Sequence, residues 1–303
     1  MKIAIAGKGG SGKTTIASNL ARYCLARGFN VYAVDADPDG SLGAALGLRG
    51  AALSGVRPII EMSEFIGESG ADGSLYLRRP DIGELSGCFS ADIGGVKFLR
   101  MGAVKPAGSS CYCAEHNFLH ALVNSLLLGD RDIAVFDMSA GVEHLVRGTV
   151  KGADAMIVAS EPSRASVESA RHIQSLGEQL GIGGIWHVCN KIRNEKEALF
   201  ARANFAKART LGLVRFSERI ADGALRLADS APAARASASA GASASAFAPA
   251  GASAPAAASA AAFATASAPA PASATAAEGG GAELELDSPD MAPIFAKLLD
   301  GAM

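Results

Sequence analysis

An apolar run, Lys2-Ile3-Ala4-Ile5-Ala6, leads directly into Gly7-Lys8-Gly9-Gly10-Ser11-Gly12-Lys13-Thr14-Thr15, and a helical pattern begins at residue 13. So dense a run of glycines breaks both strand and helix and demands a tight loop that turns through left-handed conformations. The order strand, glycine loop, helix fits G-x-x-x-x-G-K-[ST] through Gly7, Gly12, Lys13 and Thr14. In such a loop successive backbone N–H groups turn inward on phosphate oxygens, and the helix N-terminus adds partial positive charge. Lys13 is expected to reach the β- and γ-phosphates and the Thr14 hydroxyl to ligate Mg²⁺. The loop residues Gly7, Gly9, Gly10, Ser11, Gly12, Lys13, Thr14 and Thr15 are the expected contacts to a nucleoside triphosphate.

Downstream, apolar runs alternate with helix-length segments. The expected strands are Lys2–Ala6, Val31–Val34, Val96–Met101, Ile133–Phe136, Ala155–Ala159 and Ile185–Cys189, with a weaker one near Leu213–Phe216. Helical patterns fall at 13–27, 114–128, 143–150, 163–180 and 194–211, with a short one in Ser288–Leu299 that starts at Ser288 or Asp290. Continuously apolar strands separated by helices indicate an α/β fold, a mainly parallel sheet with helices on both faces, and the phosphate loop after the first strand makes the expected fold a P-loop NTPase. Ligands of such folds bind beyond the carboxyl ends of the strands, where every motif of this chain falls. Residues 48–95 are glycine-rich and give no clear element.

Between Ala231 and Ala277 the chain is mostly alanine with serine, proline, glycine and threonine; Arg235 is the only charge, and Phe247 and Phe263 the only large apolar side chains. That is too little apolar bulk to offset the conformational entropy of ordering it, and the scattered prolines oppose a continuous helix. The expected organisation is therefore a nucleotide-binding domain over 1–228, a disordered Ala/Ser/Pro-rich insertion over 229–283, and a helix within 284–303 that returns to the domain. Alanine also explains the positive mean hydropathy without a membrane span. With no export signal and five cysteines, the chain reads as cytoplasmic and reduced. A net charge of −2 gives no general attraction to nucleic acid or anionic membranes.

Two acidic motifs end strands. Asp35-Ala36-Asp37-Pro38-Asp39-Gly40 follows the second strand, and Ile133-Ala134-Val135-Phe136-Asp137 precedes Met138-Ser139-Ala140-Gly141. Carboxylates in the first position suit metal-linked water or a phosphate-sensing switch, or cap a turn. An apolar strand ending in aspartate is the Walker B arrangement, which places Asp137 near Mg²⁺. The loop also carries a second lysine, Lys8, that an ordinary phosphate loop does not need. Lys-Gly-Gly-x-Gly-Lys-Thr-Thr resembles the deviant Walker A ATPases, a family that includes MinD, ParA and the nitrogenase iron protein. The resemblance implies ATP as the ligand and a homodimer in which Lys8 of each subunit reaches the partner's nucleotide. It also implies that Asp37 orients the attacking water, with Asp39 a weaker companion, and that Asn190, ending the strand Ile185–Cys189, pairs with adenine. Lys8, Lys13 and Asp37 are thus the candidate catalytic residues. Where the family usually has a proline-containing loop near the base, this chain has Val214-Arg215-Phe216-Ser217.

Cys111-Tyr112-Cys113 lies between Gly108-Ser109-Ser110 and a helical pattern. Two thiolates spaced i, i+2 bind one soft ion but cannot complete a tetrahedral site, whereas a two-fold dimer offers four sulfurs. Two unrelated, partly buried thiols are the other reading; a redox pair suits the strained spacing poorly. Cys24 and Cys189 read as core. Together with the loop and Asp35–Pro38, the C-x-C and the stretch from Asp137 through Ala140-Gly141-Val142-Glu143-His144-Leu145-Val146-Arg147-Gly148-Thr149 resemble the CooC-type accessory ATPases. That resemblance implies nickel insertion into apo carbon monoxide dehydrogenase, with Ni²⁺ (or Zn²⁺) held by Cys111 and Cys113 of two subunits.

Two other classes compete. A partitioning or positioning ATPase of the ParA or MinD kind would bind DNA or membrane. Basic residues do gather over 191–219, but Glu195, Glu197 and Glu218 interrupt them, and the terminal segment carries only Lys297, so neither surface is expected. An iron–sulfur electron-transfer ATPase takes its two cysteines from separate loops, whereas C-x-C suits a single ion.

Overall fold

The first strand lies at the centre of the sheet because it is apolar on both faces. In the computed structural model β1 (Lys2–Gly7) is flanked on both sides by parallel strands, and all but its first residue is buried. The structure describes residues 1–37, 40–58, 66–69, 75–77, 91–102, 128–142, 145, 148, 150–225, 288 and 290–302. In chain order the next elements are α1 (Lys13–Ala26), β2 (Asn30–Ala36), α2 (Leu42–Leu46), α3 (Gly50–Ser54), β3 (Ile66–Ser69), β4 (Leu75–Leu77), β5 (Ala91–Ile93) and β6 (Val96–Arg100). They are followed by β7 (Asp132–Met138), β8 (Ala155–Ser160), α4 (Arg164–Gln179), β9 (Gly184–Ile192), α5 (Glu195–Asn204), β10 (Thr210–Arg215), α6 (Glu218–Leu225) and α7 (Met291–Ala302).

The main sheet runs β10-β9-β8-β1-β7-β2-β6-β5, and only the edge strand β5 is antiparallel to its neighbour. A separate antiparallel pair joins β3 to β4. The fold is thus the mainly parallel α/β sheet that the alternating apolar runs indicate, with the phosphate loop after β1 as in a P-loop NTPase, and β5 is an addition that its three residues did not announce.

Side chains of a strand alternate between faces, and the two cores follow that alternation. Ile3 and Ile5 point to the face covered by α1, α2 and α7, where Leu20, Leu42 and Phe295 join them. Ala4 and Ala6 point to the other face, where Val167, Ala170 and Ile173 of α4 pack with Phe136 and Val158. Helix α7 is held against β10: a β-carbon on Gly212 would sit 2.5 Å from Ile294, so only glycine lets the helix approach. Tyr23 of α1 meets Phe295 at a centroid distance of 5.6 Å. This terminal helix begins at Met291, directly after Asp290, the later of the two starts that the sequence offers.

The pattern over 194–211 divides. Asn194 caps α5 by accepting the Glu197 N–H at 3.0 Å, with acids in the first turn and Arg202 in the last, as the helix dipole favours. The helix stops at Asn204, whose amide donates to the Phe200 carbonyl at 2.8 Å. Phe205 is then extended and stacks on His187 at 4.5 Å, and a single 3₁₀ turn leads into β10. Burial of one aromatic ring and a side-chain cap outweigh the helical propensity of the following residues. The pattern at 114–128 lies outside the described residues but for its last residue, that at 143–150 but for residues 145, 148 and 150, and the segment 231–277 wholly. Among the described residues no helix is long and apolar enough to cross a membrane.

Candidate functional site

Four parallel strands bring their carboxyl ends to one edge, and each carries a singled-out residue there. Ile5 of β1 is in register with Asp137 of β7, which is itself in register with Asp35 of β2. Gly7 ends β1, and Asn190 falls in the last residues of β9.

The loop's glycines answer specific contacts. A β-carbon on Gly7 would lie 2.4 Å from the Ala159 carbonyl oxygen, an overlap with backbone that no side-chain movement relieves. Gly12 has φ of 88° and a β-carbon there would meet Asn190 Nδ2 at 2.1 Å. No side chain caps α1 and no acid occupies its first turn, so its opening N–H groups remain available to an anion. The Gly12 carbonyl accepts the Ile16 N–H at 3.0 Å, starting the helix. Lys13 and Ser11 are buried in the loop, whereas Lys8 projects into solvent. Thr15 accepts from Asn19 Nδ2 at 2.8 Å through its carbonyl and lines the base-side cavity described below.

Thr14 and Asp137 meet as a cation site requires. The Thr14 hydroxyl donates to Asp137 Oδ2 at 2.7 Å and lies 3.0 Å from the Ser41 hydroxyl. Asp137 Oδ1 is buried without a hydrogen-bond partner. Burial lifts its carboxyl to about 7, opposed by the Thr14 bond; the charge of Asp35 raises it further and that of Lys13 lowers it. A buried carboxylate oxygen facing no donor beside a threonine hydroxyl is a fitting pair of oxygen donors for Mg²⁺.

Asp35 has a different task. Its side chain is wholly buried and accepts the N–H of Leu42 at 2.9 Å and of Asp37 at 3.3 Å. Burial pushes its carboxyl up to about 6 against those two bonds. It thereby folds the segment after β2 back onto the start of α2 and sets where Asp37 emerges. The sequence shows Asp35, but only the β2–β7 register reveals that it stands beside Asp137. Ser41, which touches Thr14, had no sequence signal beyond its position after the aspartate cluster.

On the other side of the loop a cavity of about 270 Å³ opens between Thr15, Asn190, Arg215, Phe216 and Ile220. Its lining is mainly apolar, suiting a flat ring. The Arg193 guanidinium lies 5.0 Å over the Phe216 ring, and that aromatic, 39% exposed, lines the cavity. Phe216 stands where the resembled family usually has a proline-containing loop, and its place as an aromatic wall is what the sequence did not reveal. Asn190 is at the rim and spends part of its amide on the loop, donating to the Ser11 carbonyl at 3.1 Å.

A family model for the CobQ/CobB/MinD/ParA nucleotide-binding domain matches residues 2–228. The chain belongs to that family. It is an ATPase of the family's fold. Among curated relatives, it is 37% identical over 235 residues to the carbon monoxide dehydrogenase accessory protein CooC of Rhodospirillum rubrum, spanning 76% of this chain and 88% of that one. It is 34% identical over 204 residues to an uncharacterised ATP-binding protein of Methanocaldococcus jannaschii, spanning 66% of this chain and 78% of the relative. Among solved structures, a variant of Cyanothece McdA in complex with ATP superposes with a TM-score of 0.52 at 18% identity, covering 73% of this chain and 85% of that one. The cell division ATPase MinD of Pyrococcus furiosus gives 0.51 at 19%, covering 74% and 86%. At those identities the solved structures speak for the fold alone.

Of the cysteines, Cys24 and Cys189 are free and buried, and burial pushes their thiols up to about 12 and about 11. Neither is a thiolate at neutral pH, so both serve packing. Cys111, Cys113 and Asp39 lie outside the described residues. Among the described residues no three of His, Cys, Asp or Glu gather into a metal-holding group.

Proposed function

We propose that this ATPase is a nickel metallochaperone that matures a carbon monoxide dehydrogenase in the cytoplasm. The observation that carries the reading is the 37% identity to CooC over 88% of that protein, in a chain that also has the Cys111-x-Cys113 pair. ATP closes a homodimer, the two cysteine pairs offer four sulfurs to one Ni²⁺ as cargo, and hydrolysis opens the dimer to release the ion to the apo-enzyme. The same donors accept Zn²⁺.

Within the site, Lys13 neutralises charge on the β- and γ-phosphates, and the exposed Lys8 reaches the nucleotide bound by the partner subunit. Asp37 orients a water in line with the γ-phosphorus; the new P–O bond forms as the bond to the β-phosphate bridging oxygen breaks, giving ADP and phosphate. Thr14 and Asp137 would hold Mg²⁺, which when bound screens the phosphate charge. Asn190 at the cavity rim faces the adenine edge, and Phe216 covers the ring.

The test is metal titration of the purified protein with and without ADP or ATP, repeated on Cys111→Ala/Cys113→Ala. About one Ni²⁺ or Zn²⁺ per dimer is expected, lost in the double variant, from the tetrahedral four-sulfur requirement. Retained stoichiometry in the double variant overturns the cargo role and leaves the ATPase standing.

A further inference from the structure

Lys191 is the only non-glycine residue with positive φ among the described residues, at 63°. A long side chain in the left-handed region is uncommon and persists where its surroundings over-determine it. Here they do. The backbone N–H of Lys191 donates to Asn190 Oδ1 at 2.8 Å. This turns the chain at the end of β9 so that the lysine side chain lies back over the phosphate loop. Its ammonium donates to the Gly10 carbonyl at 2.6 Å and to Glu161 Oε1 at 2.6 Å. Glu161 follows β8, and its N–H donates to Ser166 Oγ in the first turn of α4 at 2.9 Å. Beside it the Asn190 amide holds the Ser11 carbonyl. The outer bend of the loop, which contributes no side chain of its own at Gly9 and Gly10, is therefore gripped from outside.

From this geometry we infer that Lys191 is a positioning residue for nucleotide binding, the pin of a Glu161–Lys191–Gly10 latch that holds the phosphate loop in its receiving shape. Its ammonium is committed to a carbonyl and a carboxylate, so it acts through the loop and not as a phosphate ligand. A glycine-rich loop has many conformations to lose, and fixing one before nucleotide arrives spares that loss on binding. The turn that the latch fixes also carries Lys8, whose carbonyl accepts the Ser11 N–H at 3.2 Å. The role concerns the nucleotide cycle alone and stands whether or not nickel is the cargo.

The experiment is calorimetric titration of the full-length protein with ATP and with ADP, alongside steady-state ATPase assays and thermal midpoints. The variants are Lys191→Met, Lys191→Gly, Lys191→Arg and Glu161→Gln. Glycine accepts the left-handed backbone without strain, so Lys191→Gly removes the ammonium while keeping the fold. Lys191→Met and Lys191→Gly are expected to raise Kd for both nucleotides about tenfold, the effect of one charge-assisted hydrogen bond on a partly exposed loop. At saturating ATP, which orders the loop itself, kcat stays near that of the wild type. Lys191→Arg restores most of the affinity, and Glu161→Gln falls between. Wild-type affinity in both Lys191→Met and Lys191→Gly overturns the inference. So does an Arg variant as weak as the Met variant, or a loss confined to kcat.

Discussion

Gly12→Ala probes the contact between the phosphate loop and β9 in a way that can be worked out beforehand. Alanine at φ of 88° is in left-handed backbone, costing roughly 1–2 kcal/mol for a residue with a β-carbon. That β-carbon would stand 2.1 Å from Asn190 Nδ2, so the amide must swing away and abandon the Ser11 carbonyl it holds at 3.1 Å. Losing that buried bond costs about 1–3 kcal/mol. Asn190→Ala alone forfeits the same bond without the backbone strain. In the double variant the bond to Ser11 is already gone, so adding Asn190→Ala to Gly12→Ala costs only the Lys191 N–H bond to Asn190 Oδ1, which that substitution removes in either background. The cycle should therefore show a coupling of about 1–3 kcal/mol, the bond counted once instead of twice. Urea unfolding of the four proteins gives the stabilities, and ATP titration shows affinity falling in all three variants. Additive costs, or a Gly12→Ala protein that binds ATP like the wild type, would show that the loop does not lean on Asn190 and would remove the packing argument.

Two further outcomes follow from the site and from its support. Asp37→Ala should leave ATP binding intact while phosphate release falls about 10²-fold or more, as expected on losing a group that orients the nucleophile; normal turnover would move the water-orienting role elsewhere. His187 is buried against Phe205, with its Nε2 hydrogen-bonded to Gln174 Oε1 at 2.8 Å. Burial first, then the charges of Arg209 and Arg171, lower it from 6.5 to about 4. The folded state thus disfavours the proton: the stability this neutral ring contributes is whole above pH 6.5 and is lost as pH falls towards 4. The loss amounts to about 3 kcal/mol, and His187→Leu should flatten that limb of an unfolding free-energy profile measured between pH 7 and 4. An unchanged acid limb in the variant would locate the sensitivity in other groups.

The loop and the carboxylate at the end of β7 were legible because their chemistry is local. Gly7 to Thr15 are consecutive, and an apolar strand ending in Asp137 needs no distant partner to be recognised. The alternation of apolar runs gave most of the sheet for the same reason. What escaped depended on contacts between distant segments. The helical pattern over 194–211 is interrupted because Phe205 finds His187 on a neighbouring strand, and β5 exists because β6 offers it an edge. Phe216 became a cavity wall only when β10 was placed beside β9 and α7 packed behind it.

From the chain of residues alone came the affinity for phosphate, since inward N–H groups, a lysine and a hydroxyl follow one another along a few bonds. Tertiary structure decided which strands are neighbours. It thereby set Asp35 beside Asp137 and laid Lys191 on the Gly10 carbonyl. The reason is geometric: the register of parallel strands is fixed by burying both faces of the sheet at once, and no short stretch of sequence records it.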